Sequence, residues 1–148
     1  MEFYTYMKKL KFVDLNHSLV EKVKDIGVEA ECGDYFMTAL SIPRHVLMTA
    51  SNPNYTFGGG LDFYFRKHFP LYCEQKQFKK TGMERIGNIV FAETVDENLK
   101  ATKEQVKKAV QFALDNTYEG ETLVLSGVGT GIGCMSEDKF VEILEEIT

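Results

Sequence analysis

The sequence contains no tryptophan, and its aromatic bulk comes from eleven phenylalanines and seven tyrosines. Cysteine is scarce as well. Cys32, Cys73 and Cys134 are scattered, odd in number and without Cys-x-x-Cys spacing, which argues against a disulfide frame and predicts reduced thiols in a cytoplasmic protein. No apolar run approaches the roughly eighteen residues of a membrane span. The first residues, Met1 to Lys11, are partly basic and lack the apolar core of a signal peptide. An excess of positive charge is also missing. A formal net charge of −5 argues against a broad electrostatic grip on nucleic acid, so an anionic ligand would be held by local backbone dipoles. His17, His45 and His68 lie far apart and show no metal-ligand spacing; neither a metal nor a cofactor is expected. Repeats, low-complexity tracts and linkers are absent too. The reading is one domain over 1–148, long enough to bury a hydrophobic core without staples.

What is present is an alternation of strand and helix patterns. Leu10 to Asp14 reads as a short strand, and Ser18-Leu19-Val20-Glu21 as a capping box before a helix carrying Leu19, Val23 and Ile26 on one face. Gly27 stops that helix, and Val28 to Cys32 suggests a second strand. His45 to Ser51 is nearly continuous apolar sequence, as in a strand covered on both faces. Leu61, Tyr64, Phe65, His68 and Phe69 recur at helical spacing, which makes His68 a packed core histidine; Pro70 interrupts, and a second helical piece is predicted over Leu71 to Lys80. Asn88 to Glu93 is another buried strand. Thr102-Lys103-Glu104-Gln105 is a second capping box, with Val106, Ala109, Val110, Ala113 and Leu114 behind it on one face. Thr122 to Ser126 is a strand, and Ser136 can cap a last helix that buries Phe140, Ile143, Leu144 and Ile147. Glu142, Glu145 and Glu146 read as its solvated face, and the Phe, Tyr and Met abundance as core. Such alternation predicts a mostly parallel sheet with helices on both faces, its ligands seated beyond the carboxyl ends of the strands.

Two glycine-rich loops fall at those ends. The stronger is Gly127-Val128-Gly129-Thr130-Gly131-Ile132-Gly133, between a buried strand and a helix start. Without Cβ atoms the backbone can turn sharply and bring several N–H groups to one anion, helped by the adjoining helix dipole. No Lys-Ser or Lys-Thr follows, so it is not a P-loop, and its spacing fails Gly-x-Gly-x-x-Gly. A tight structural turn is the plainer alternative. The other loop runs from Asn52 through Gly58-Gly59-Gly60-Leu61 to Asp62, whose carboxylate could simply be a helix-start charge paired with Arg66.

Thr49-Ala50-Ser51-Asn52 with Gly58-Gly59-Gly60-Leu61-Asp62 resembles the first signature of macro domains, and Val128-Gly129-Thr130-Gly131-Ile132-Gly133 is similar to the second. The resemblance spans about Val28 to Ile147, and Phe12 to Asn16 with the following helix resembles the opening of a bacterial and phage branch of that family. It implies a three-layer α/β/α sandwich with a mixed, mostly parallel central sheet that binds ADP-ribose or a related nucleotide. By the same resemblance Asp34, after Gly33, would accept a hydrogen bond from the adenine amino group, and Asn52 would bond the distal ribose hydroxyls. The backbone of Gly58, Gly59, Gly60 and Leu61 and that of Val128, Gly129, Thr130, Gly131, Ile132 and Gly133 would wrap the diphosphate. Asp62 corresponds to an acid that hydrolytic relatives use near the attacking water. Three departures stand out: Thr49 replaces the usual first Asn, Phe63-Tyr64-Phe65 replaces Gly-small-Ile-His after the acid, and Cys134-Met135 replaces the aromatic that often follows the second loop.

Two functions compete. One is a hydrolase removing ADP-ribose from a modified partner or from its 1″-phosphate, with Asn52 and Asp62 as catalytic pair. The other is a non-catalytic reader of ADP-ribose or ADP-ribosylated protein, which the departures favour. A Rossmann-type methyltransferase is suggested by Val13-Asp14-Leu15-Asn16 but would want glycines after the first strand. Cys134, beside a glycine loop at a helix start, is expected to line the pocket rather than to act as a nucleophile, because no His or Asn partner is evident.

Overall fold

The computed structural model describes residues 10–79 and 81–148. The basic start of the chain (residues 1–9) and Lys80, the expected end of the second helical piece, lie outside the described residues. The strands are β1 (Leu10–Asp14), β2 (Ala30–Cys32), β3 (His45–Met48), β4 (Glu84–Ile86), β5 (Ile89–Phe91) and β6 (Thr122–Leu125). The helices are α1 (His17–Asp25), α2 (Tyr35–Leu40), α3 (Gly60–His68), α4 (Pro70–Lys79), α5 (Lys103–Asp115) and α6 (Glu137–Ile147). The strands form one mixed sheet in the order β2-β1-β6-β3-β5-β4, parallel throughout except for the β4–β5 hairpin.

Side chains alternate across this sheet with the two-residue period of a strand. Phe12, Val46, Met48, Val90, Leu123 and Leu125 point into one core, closed by α1, α5 and α6. Val13, Leu47, Ile89, Phe91 and Val124 point into the other, closed by α2, α3 and α4. Helices therefore cover both faces, an arrangement compatible with a three-layer sandwich. Near-continuous apolar strands are the sequence counterpart of that double cover.

Local chemistry sets the boundaries, and in places differs from expectation. The cap of α1 is Asn16, whose side chain accepts from the Leu19 amide; Ser18 instead donates to Glu137 on α6. Asn precedes the helix by one residue and competes successfully for the cap position. Thr102 and Ser136 cap α5 and α6 as expected, but Gln105 turns away from its capping box and donates to the Val95 carbonyl. Pro70 divides the helical stretch as expected, α3 ending at His68, and it opens α4 at a position where its missing N–H costs nothing. Val28 and Glu29 precede β2, which is only three residues long. Two elements went unread: α2, a six-residue helix capped by Asp34, and β4, joined to β5 by a two-residue Gly87-Asn88 turn with Gly87 at φ 61°.

His68 is exposed and lies against the Phe36 ring, with centroids 4.6 Å apart, instead of entering the core. The face expected of α3 fails there because only Asp62 and Phe65 are buried on it. Aromatic residues are not uniformly core either: Tyr55, Phe57 and Phe65 are buried, whereas Phe63, Tyr64, Tyr118 and Phe78 are exposed. Glu142 and Glu146 are exposed but pair with Lys103 on α5, and Glu146 also with Lys107.

Candidate functional site

The segments after β1, β3, β5 and β6 meet over the carboxyl edge of the sheet and enclose an open cavity of about 760 Å³. Both glycine loops line it, together with Asp14, Asp34, Asn52 and Asp62. Ile132 spans the gap between the loops: a Cβ placed on Gly59 would lie 3.1 Å from its side chain.

The first loop is pinned from below and tied internally. Tyr55 and Phe57 adopt left-handed backbone conformations, φ 51° each, and both rings are buried. Tyr55 donates to Glu93 at 2.8 Å, while Phe57 packs edge-on against Phe91. Non-glycine residues in this conformation need such surrounding support. Asn52 folds the loop tip: its Oδ1 accepts from the Asn54 amide at 3.0 Å, and its Nδ2 donates to Thr56 at 2.8 Å. Gly59 then caps α3 without any side-chain bond.

The second loop is held by its neighbours. The Gly127 amide donates to Asp14 Oδ2 at 2.8 Å, and the Met135 amide to the Gly129 carbonyl at 2.9 Å. The Gly133 carbonyl accepts from the Ala101 amide at 3.2 Å. Among the described residues, the amides of Gly58, Gly59, Gly60 and Leu61 in the first loop, and of Gly129, Gly131, Ile132 and Gly133 in the second, donate to no protein acceptor. These unpaired donors border one cavity, where an anion can satisfy them. Gly133 is also required by space. A Cβ there would lie 2.7 Å from Ala101 Cβ and 2.8 Å from the Gly129 carbonyl oxygen, whereas one on Gly131 would meet nothing within 4 Å. Gly133→Ala is thus expected to destabilise by about 1–3 kcal/mol and Gly131→Ala hardly at all. Equal urea midpoints for the two variants would contradict this reading.

Asp62 is a buried carboxyl group on the cavity wall. It is 5% exposed, and its Oδ1 accepts from the Ala50 amide at 2.9 Å. Burial pushes its pKa up to about 6, against the opposing pull of hydrogen bonds from Ser51 and Ala50. It makes no ion pair among the described residues: Arg66 lies over the Phe63 ring, 5.7 Å from its centroid, rather than against the carboxylate. Asp34 is the cap of α2, accepting from Met37 through Oδ1 at 2.9 Å, and still borders the cavity.

Two expectations fail or fall short. Cys134 is exposed, sits at φ 59° and stands outside the cavity wall, its thiol turned to the Ile132 carbonyl at 3.3 Å. It also precedes the α6 cap by two residues, so it is not at the helix start. A third wall segment, Thr94, Val95 and Leu99, was not foreseen. Asp96 organises it by accepting from the Asn98 and Lys100 amides at 2.8 and 3.0 Å. The signal was present, since Asp96-Glu97-Asn98, a few residues past a buried strand, marks a turn near a carboxyl end. Thr94 is the one buried side chain with a polar atom lacking a partner among the described residues.

No group of three or more His, Cys, Asp or Glu side chains among the described residues is arranged to hold a metal ion. None of their helices is long and apolar enough to cross a membrane. Neither protein-family models nor curated proteins give a match to this chain.

Proposed function

We propose that this chain is a macro domain that binds ADP-ribose and hydrolyses an ADP-ribosyl linkage or ADP-ribose 1″-phosphate. The observation that carries the reading is the double row of unpaired amides, those of Gly58 to Leu61 and those of Gly129, Gly131, Ile132 and Gly133, around one cavity. A diphosphate presents the acceptors these donors lack, and the N-terminus of α3 adds a favourable partial charge. With overall charge −5, such local dipoles are the available means of holding an anion. Asp34 and Asn52, on the same cavity, are the groups for the adenine and the distal ribose.

Hydrolysis would rest on Asp62. A carboxyl group with pKa about 6 has appreciable basic and acidic forms near neutrality, which suits proton transfer to or from water. The reader function has its own supporting observation: both ends of the Asn52 amide are engaged within its loop, so that orienting a reacting ribose would first require releasing them.

Calorimetry of the full chain with ADP-ribose, against AMP, ATP and NAD, tests the assignment; selective binding of ADP-ribose is expected, and indifference to it would overturn the reading. Incubation with ADP-ribosylated protein, and separately with ADP-ribose 1″-phosphate, distinguishes enzyme from reader. Asp62→Ala is expected to keep most affinity and lose turnover by about 10²–10⁴. Equal turnover would remove Asp62 from the chemistry.

A further inference from the structure

We infer that Tyr35 is the positioning residue for Asp62: its hydroxyl holds the fork at which β3 and β6 part, and that fork seats the Asp62 carboxylate. The pairing of these strands ends at Leu47↔Val124. At that end one hydroxyl bonds both strands, accepting from the Met48 amide at 3.0 Å and donating to the Val124 carbonyl at 2.5 Å. The ladder starts with the Thr122 amide donating to the Arg44 carbonyl at 3.1 Å. By the alternation of a parallel pair, its next rung past Tyr35 would join the Ala50 amide to the Ser126 carbonyl. That rung is not formed. The Ala50 amide donates to Asp62 Oδ1 at 2.9 Å, and the Ser126 carbonyl accepts from the Val128 amide at 2.8 Å. A carboxylate thus stands where β6 would otherwise continue.

Helix packing ties the two side chains together. Tyr35 is the first residue of α2, and its ring lies 6.1 Å from that of Phe65 and 5.2 Å from that of Phe36. Phe65 and Asp62 are the buried residues of α3, three apart on one face. The ring that braces Tyr35 therefore comes from the same face as the carboxylate that Tyr35 makes room for. Burial pushes the Tyr35 pKa up, so the phenol keeps its single proton for the Val124 carbonyl. Tyr35, Ala50, Asp62 and Ser126 all line the cavity, so the fork opens into it. Without the hydroxyl, the Ser126 carbonyl competes for the Ala50 amide, because buried backbone groups take the partner within reach. Closing that rung displaces Asp62 from β3 towards solvent.

NMR of the full chain tests the fork without any ligand. In the wild type no coupling through a hydrogen bond should link the Ala50 nitrogen to the Ser126 carbonyl, and the Asp62 carboxyl should titrate near pH 6. In Tyr35→Phe that coupling is expected to appear, and Asp62 should titrate nearer 3.8 than 6. Its titratable neighbours do not blur the step: burial pushes Tyr55 up and Cys73 up to about 12, so both stay neutral. The turnover arm rests on the hydrolase reading above. There, Tyr35→Phe should lower kcat by on the order of 10², the cost of a displaced catalytic group, with ADP-ribose affinity close to the wild type's. A folded Tyr35→Phe whose Asp62 still titrates near 6 overturns the inference, whatever happens to turnover. Should that variant not fold, the Asp62→Asn background, relieved of a buried charge, carries the same comparison. Coupling in the double variant and not in Asp62→Asn supports the fork; coupling in neither overturns it. A wild type inactive on both ADP-ribosylated protein and ADP-ribose 1″-phosphate would end the hydrolase reading and leave the fork to the NMR result.

Discussion

Asp62→Asn is expected to stabilise the protein at pH 8 by about 3 kcal/mol and to do almost nothing at pH 4. The ordinary pKa of the carboxyl group is 3.8, and burial raises it to about 6 in the fold. A raised acid pKa means that the folded chain binds the proton more tightly than the unfolded one. The group therefore costs nothing below pH 3.8, costs increasingly as pH rises towards 6, and carries a constant cost above it. A shift of roughly 2 units corresponds to ~3 kcal/mol. Asparagine fills the same volume and its carbonyl oxygen can still accept from the Ala50 amide, so the variant removes the charge and little else. Melting curves at pH 4, 6 and 8 would show a gain that opens with pH, reaching on the order of 5–10 °C. A pH-independent difference would mean that burial does not perturb this carboxylate. A stable variant that no longer turns over substrate would show why the acid is kept: natural proteins concede stability at working sites.

Glu84→Ala should have an opposite and comparably large effect, a loss of about 3 kcal/mol. Its partner Lys76 is wholly buried, and its ammonium reaches Glu84 at 2.8 Å, the Gly82 carbonyl and the face of Tyr55, 4.7 Å from the ring centroid. Removing the carboxylate strands a charge inside the protein, which is costly, whereas Lys76→Met takes the buried charge itself away and leaves a carboxylate that is 28% exposed and can be solvated. Lys76→Met should therefore fall within about 1.5 kcal/mol of the wild type. Urea denaturation of both variants makes the comparison; similar losses in the two would show that packing, not the stranded charge, dominates. The pH dependence adds a check. The Lys76 hydrogen bond holds the Glu84 pKa below the ordinary carboxylate range, so this contribution is present above pH 4.5 and fades as pH falls through the lowered value. Because Tyr55 anchors the Asn52–Gly60 loop, the proposed binding of ADP-ribose should, on that proposal, be weaker in the Glu84 variant than its stability alone requires.

The strands were legible because they are apolar on both sides: His45 to Ser51 and Asn88 to Glu93 advertise a doubly covered sheet without any tertiary information. The glycine loops were legible for a related reason, since small residues between a buried strand and a helix start have few other uses. What escaped depended on distant partners. The six residues of α2 have no periodicity to display; Asp34 caps them, and Tyr35 and Phe36 are held by rings from α3. His68 shares its helical face with apolar residues, yet only Asp62 and Phe65 of α3 are buried and its ring rests on Phe36 at the surface, so spacing alone does not reveal its surroundings. The wall formed by Thr94, Val95 and Leu99 carries no glycine, so it lacks the feature that marks the other two loops. Asn52 looked free to meet a ligand, but its neighbours Asn54 and Thr56 turn back upon it, a local competition that residue type alone does not decide.

The pairing of β1 with β6 has a bearing on how the molecule is made. Leu10 to Phe12 lie in register with Leu123 to Leu125, so this strand finds its central neighbour more than a hundred positions later in the chain. Until the ribosome has released that segment, β1 has β2 beside it and an open flank on the other side, and the anion cradle lacks one of its two arms. Long-range pairing of this kind slows folding and exposes an edge while it is awaited. A ligand of the kind proposed would meet both loops only once β6 is in place, and its capture would then favour the completed sheet.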